Sequence, residues 1–269
     1  MNIQKAKYIL PNLFTLGSVF LGLQSILWSV EGVFTAAAIA ILGAAVLDGM
    51  DGRVARLTRT QSEFGAQLDS LADAISFGVA PALLTYYYRL DGARLGELNV
   101  GLLVVAVFAI CGILRLARFN VIAMRAKGGA NTFFVGMPIP LAAAIVALSV
   151  LSYERSNMAL LGSGPYYVAI MLALGALMVS TVRYPSFKKS SAAWSRRRFV
   201  VASLGAGLLL LGVKVVSLFP LLLLLGLTFT AWGILETLWR RLHARAKRAA
   251  RDALPVPDLE DPETGELSE

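Results

Sequence analysis

Long apolar runs set the terms on which this chain can fold. They cover about residues 9–30, 33–56, 66–88, 98–122, 136–153, 165–183, 199–215 and 217–239. A helix needs about 20 apolar residues to cross the hydrocarbon of a bilayer, and most of these runs reach or approach that length. Length alone would suggest one or two soluble domains for 269 residues, but 57% hydrophobic content and a mean hydropathy of +0.68 overrule it. The expected fold is all-α: a polytopic membrane helical bundle of about eight transmembrane helices. The first run carries no convincing signal-peptide cleavage site, so it is read as a helix of the bundle, with Pro11 at its start.

Lysine and arginine give the orientation. With the N-terminus in the cytoplasm, all but Arg89, Arg94, Arg155 and Lys214 of the 25 fall on the cytoplasmic side. Both termini are therefore expected in the cytoplasm of an integral cell-membrane protein. Residues 1–240 form the membrane domain, with two extra Leu-rich helices over about 199–239. Residues 241–269 form a tail, basic as far as Arg251 and then acidic and proline-containing, which reads as partly disordered. The net charge of +8 suits an anionic leaflet and anionic substrates, and nothing else suggests nucleic acid.

Cys111 and His243 are the only cysteine and histidine. An intramolecular disulfide, Ser-His-Asp or Cys-His catalysis and a cysteine- or histidine-rich zinc site are therefore excluded. No Walker-type phosphate loop is present.

What remains is carboxylate chemistry. Residues 48–73 read DGMDGRVARLTRTQSEFGAQLDSLAD, at the mouths of two apolar runs. Asp48 and Asp51 are three apart, Asp69 and Asp73 four apart, and on helices each spacing puts a pair on one face. Two such faces brought together concentrate four like charges, which hard divalent cations with oxygen ligands would relieve. Two ions roughly 3.5–4 Å apart would suit a diphosphate, stabilising attacking and leaving oxygens. Gly49, Gly52, Ala55 and Gly65 keep these faces thin, and Arg56 adds a cation where a phosphate could lie.

The pattern D-x-x-D-G-x-x-A-R, eight residues, then G-x-x-x-D-x-x-x-D is complete here in Asp48, Asp51, Gly52, Ala55, Arg56, Gly65, Asp69 and Asp73. It resembles the signature of the CDP-alcohol phosphotransferases. That resemblance, which covers most of residues 10–190, implies two Mg²⁺ or Mn²⁺ ions held by the four aspartates, with Asp73 as the catalytic base. It also implies contacts to CDP-diacylglycerol from Asn12, Thr15, Gly52, Arg56, Ser62 and Gly65, and a homodimer. From the residues alone, Asn12 and Thr15 serve equally well as helix caps.

CGILRLARFN (111–120), FVGMPIP (134–140) and VRYPSFK (182–188) resemble stretches of the serine-using branch of that family. The implied acceptor is L-serine, with Arg115, Arg118 and Asn120 as its binding residues. Arginine at this position also serves as a snorkelling anchor, but Arg115 still lies within apolar sequence, where charges usually face an interior. Glycerol phosphate, inositol or inositol phosphate are alternative acceptors. A cation transporter is the alternative of a different class, and it would spread acidic residues through the membrane depth.

Overall fold

The computed structural model describes residues 3–58, 62–125, 133–156, 159–185 and 218–252. It is a bundle of helices. α1 (Ile3–Val30) and α2 (Phe34–Thr58) form an antiparallel hairpin. Their turn is closed by the Val33 amide on the Trp28 carbonyl, and Gly32 takes a φ of +78°, open to glycine at no steric cost. Pro11, expected at the start of α1, lies well inside it.

The third span, expected over 66–88, is a composite. α3 (Glu63–Asp73) passes into a π-helical turn (Ala74–Val79), then α4 (Ala80–Thr85), then a second π-helical turn (Tyr86–Leu90). Pro81 supplies a cause for the first. It has no N–H for a helical bond, and its ring would press on the carbonyl four residues earlier. Widening the preceding turn relieves that pressure, and the Ala80 amide reaches back to Ile75.

A tight hairpin, β1 (Arg94–Leu95) with β2 (Leu98–Asn99), leads into α5 (Val100–Arg125). Asn99 begins α5 by accepting the Leu102 amide at 2.9 Å, while its Nδ2 donates to the Tyr86 hydroxyl at 3.0 Å. α6 (Ile139–Ser156) and α7 (Gly164–Val179) follow, then α8 (Leu218–Asp252). The FVGMPIP and VRYP segments were expected at helix ends. They instead contribute β3 (Phe133–Val135) and β4 (Arg183–Pro185), paired antiparallel with Phe134 opposite Tyr184.

Among the described residues, five segments are long and apolar enough to cross a membrane: Asn12–Val30, Phe34–Ala55, Glu63–Leu90, Val100–Ile122 and Leu218–Trp239. Gly164–Val179 is apolar but shorter. α6 runs through the middle of the bundle, with Ala142, Ala143, Ile145, Val146, Ala147, Val150 and Leu151 all fully buried. Alanines on α6 and α2 (Ala37, Ala38 and Ala44) allow these helices to pack closely. The expected run over 199–215 lies outside the described residues. The chain is thus an all-α membrane protein, with its two short strand pairs confined to the connections.

Candidate active site

The α1–α2 hairpin and the composite third span bring the ends named by the aspartate pattern together. Asp48 and Asp51 sit one turn apart near the end of α2. Asp69 and Asp73 sit one turn apart near the end of α3, just before the π turn. Carboxylate oxygens of Asp48, Asp51 and Asp69 lie within 4.8 Å of one another. The Asp48 carboxyl also faces Asp73, whose Oδ1 is buried with no hydrogen-bond partner.

Such a set fits a divalent cation on chemical grounds. Every donor is a carboxylate oxygen, which selects hard ions such as Mg²⁺ or Mn²⁺ over the metals drawn to thiolate or imidazole. The unpartnered Asp73 oxygen adds to this beside the gathered carboxylates, because leaving it desolvated and unpaired costs about 1–3 kcal/mol or more.

Surrounding side chains hold the carboxylates in place. Thr15, buried on α1, donates to Asp51 Oδ2 at 2.8 Å. Thr15 was expected as a helix cap or against the substrate, and its hydrogen bond to Asp51 orients one of the aspartates. Asn12 lies near Gly65: a Cβ on that glycine would come within 3.6 Å of Asn12 Oδ1 and 3.1 Å of Ser62 Oγ. Gly65 thus keeps α3 close to α1 at Asn12. Ser62 is the N-cap of α3, accepting the Gly65 amide at 3.0 Å. That bond occupies its hydroxyl as an acceptor in a structural role. Gly49 faces open space, and Gly52 and Arg56 lie on α2 beyond the aspartates.

The three polar residues of α5 have different surroundings. Arg115 is 8% exposed, its charge interacts with Asp73, and its Nε is buried without a hydrogen-bond partner. Its guanidinium lies 5.5 Å from the centre of the Phe119 ring. Arg118 turns toward α7. Its Nη1 donates to the Val179 carbonyl at 2.8 Å, and its Nη2 approaches the carbonyls of Val135 (3.1 Å), Ser180 (3.2 Å) and Met178 (3.4 Å). It thereby ties together the end of α7 and the end of β3. Asn120 exchanges hydrogen bonds with Ser70 on α3, at 2.9 and 3.2 Å. Ser70 went unnoticed in the sequence, although its place beside Asp69 was a signal.

These acidic groups cluster at one end of the bundle, so they do not make the membrane-deep series that a cation pathway would require. The end is closed by small residues, braced carboxylates and one arginine with donor capacity to spare. Such an arrangement can bind a diphosphate through cations and hold a proton acceptor beside it.

Comparison with known proteins agrees with this geometry. The family model described as CDP-alcohol phosphatidyltransferase matches residues 8–182. A Helicobacter pylori (strain J99) protein named CDP-diacylglycerol–serine O-phosphatidyltransferase is 42% identical over 198 residues, covering 72% of this chain and 78% of that protein. One of the same name from Mycobacterium tuberculosis (strain H37Rv) is 45% identical over 150 residues, covering 54% of this chain and 50% of that protein. The archaetidylserine synthase of Methanothermobacter thermautotrophicus is 41% identical over 178 residues, covering 65% and 69%. With its eight-position aspartate pattern intact and its carboxylates brought together, the chain belongs to the CDP-alcohol phosphatidyltransferase family.

Proposed function

We propose that this protein transfers the phosphatidyl group of CDP-diacylglycerol to the hydroxyl of L-serine, giving phosphatidylserine and CMP. The observation that carries the choice of acceptor is a pair of unmet groups. Asp73 Oδ1 and Arg115 Nε are both buried and both without a hydrogen-bond partner, and their side chains interact. A hydroxyl donor would complete the first and a carboxylate the second. Serine offers both on one small molecule, and the names of the relatives above favour the same acceptor.

In this reading the serine Oγ attacks the lipid-linked phosphorus of the diphosphate. Its proton passes to Asp73 as the P–O bond to CMP breaks, and CMP leaves with that electron pair on its phosphate. Two ions, Mg²⁺ or Mn²⁺, held by Asp48, Asp51, Asp69 and Asp73, would supply the positive charge that the diphosphate needs. Thr15 fixes the Asp51 carboxylate for that task. Arg115 orients serine by its carboxylate, bidentately if the planar fork is met end-on. Asn12, Gly52, Arg56 and Gly65 would contact the CDP part, as the family resemblance implies. Arg118, with its carbonyl partners, supports the site from behind, and Asn120 does so through Ser70.

The site faces the cytoplasm of the cell membrane in this reading, from the distribution of lysine and arginine. In a Cys111→Ala background, Glu63→Cys should label from the cytoplasmic side only, and Asp91→Cys only from the other. The acceptor is tested by one assay of purified protein with CDP-diacylglycerol, Mn²⁺ and labelled serine, glycerol phosphate or inositol in parallel. Phosphatidylserine and CMP should form in equal amounts. Product from another acceptor with none from serine would overturn the reading. Chelation with EDTA should abolish CMP release and added Mn²⁺ restore it, and full activity after metal depletion would remove the cations from the mechanism.

A further inference from the structure

The composite third span raises a question of phase. Each residue of an α-helix turns the chain by about 100°, and a π turn absorbs one residue, so the halves on either side of it are rotated relative to one another. Asp69 and Asp73 lie just before the turn Ala74–Val79, so the direction in which they point depends on how that turn is held.

It is held by α1. Ser76, inside the π turn and fully buried, donates from Oγ to the Ser18 carbonyl at 3.0 Å. Ser18 Oγ lies 3.5 Å from Ser76 Oγ. One turn further along α1, Gly22 permits the contact: a Cβ there would stand 2.7 Å from Ser76 Oγ and 2.9 Å from Ser76 Cα. That is too close for any side chain, and backbone is part of the obstacle. Thr15, Ser18 and Gly22 are spaced three and four apart, so they line one face of α1. The same face therefore holds Asp51 through Thr15 and the turn that follows Asp73 through Ser18 and Gly22.

We infer that Ser76 is a positioning residue for the metal-binding carboxylates, and that α1 is the ruler against which both aspartate pairs are set. The inference rests on the metal-dependent reading above. Neither Ser76 nor Gly22 touches the carboxylates. They act by fixing the rotation of α3 at the point where Asp73 leaves it.

The test measures Mn²⁺ bound to the purified full-length protein by electron paramagnetic resonance, with thermal unfolding followed in parallel. Ser76→Ala removes the donor while adding no bulk. It should bind Mn²⁺ about tenfold more weakly, the lower range seen when the support of a metal ligand is lost. Ser18→Ala keeps the accepting carbonyl and should stay within about twofold of the parent protein, as loss of a weak, long hydrogen bond implies. Gly22→Ala should weaken binding at least as much as Ser76→Ala by pushing α1 off the turn. Should it fail to fold, the two serine variants decide alone. Wild-type Mn²⁺ affinity in Ser76→Ala, even with a lowered melting temperature, would overturn the inference by showing a purely structural contact. An equal loss in Ser18→Ala would overturn it too, since any cavity there would then suffice. If the parent protein binds no Mn²⁺, the metal reading falls and this inference with it. If the parent binds and the variants match it, only this inference falls.

Discussion

The third span ends in two polar clusters that differ in kind. Its beginning carries Asp69 and Asp73. Its end, about 22 Å away at 1.5 Å per residue, carries Tyr88 and Arg89. At the aromatic end the Arg89 guanidinium lies 4.4 Å from the centre of the Tyr88 ring and 5.0 Å from that of Tyr153. The Tyr88 hydroxyl donates to Glu154 at 2.8 Å, and Phe34, Tyr153 and Tyr167 pack edge-on around its ring. Both ends leave buried polar atoms without a hydrogen bond: Asp73 Oδ1 and Arg115 Nε at one, Arg89 Nε and Tyr167 OH at the other. An orphan atom is therefore not by itself the mark of a site. At the aromatic end, π faces compensate the single cation. At the carboxylate end, four like charges are gathered with only Arg115 beside them, and the rest of the balance has to come from a ligand.

Breaking the carboxylate end should have the largest effect. Asp73→Asn keeps the shape of the side chain but removes the proton acceptor, so turnover should fall by about 10²–10⁴-fold, the usual worth of general base catalysis. CDP-diacylglycerol should still bind. Asp48→Ala and Asp69→Ala should lose Mn²⁺ affinity together with turnover. A near-normal rate in Asp73→Asn would take that residue out of the proton transfer.

The next effect sharpens the contrast within one helix. Arg115 and Arg118 are a turn apart, yet one faces Asp73 and the other is bound to backbone carbonyls. Removing a buried, bidentate charged contact costs roughly 2–5 kcal/mol, so Arg115→Ala should raise the serine KM steeply with little change for CDP-diacylglycerol. Arg115→Lys should raise it as well, having lost the planar fork. Arg118→Ala should lower the melting temperature in detergent and leave the serine KM nearly unchanged, because its loss strands carbonyls at the end of α7. If the serine KM responds to Arg118 and not to Arg115, their roles are exchanged.

Sequence and structure part company here for physical reasons. The aspartate pairs were legible because spacing on a helix fixes a shared face whatever the surroundings. The apolar runs were legible because lipid imposes length and composition on each segment separately. Arg115 stood out from Arg118 by its depth in apolar sequence, but the carbonyl partners of Arg118 were not legible, since they come from the end of α7, distant in sequence. Nor was the β3–β4 pairing, which joins segments about 50 residues apart through backbone bonds that carry little side-chain signature. The π turn had a visible cause in Pro81, but a proline in an apolar run reads equally as a kink. Thr15 was singled out for the right end of the bundle, and only the packing of α1 on α2 showed Asp51 to be its partner.

The smallest effect belongs to the aromatic end, and it tests whether that end is only a brace. Tyr88→Phe removes one hydrogen bond, worth about 1 kcal/mol given that Glu154 is exposed. Arg89→Met keeps an apolar stem between the rings of Tyr88 and Tyr153 but loses the cation–π contact, worth about 0.5–2 kcal/mol. Each change should therefore lower the melting temperature in detergent by a few degrees. Neither should alter Mn²⁺ affinity or the serine KM, because the disturbance lies beyond the π turn that sets the direction of Asp73. The first π turn and its contact with α1 stand between the two ends, so a loss of rigidity at Tyr88 has no direct route to the carboxylates. If Arg89→Met weakens Mn²⁺ binding as Ser76→Ala is expected to, the span behaves as one rigid rod. The distinction between a chemical end and a structural end would then collapse into a single mechanical element.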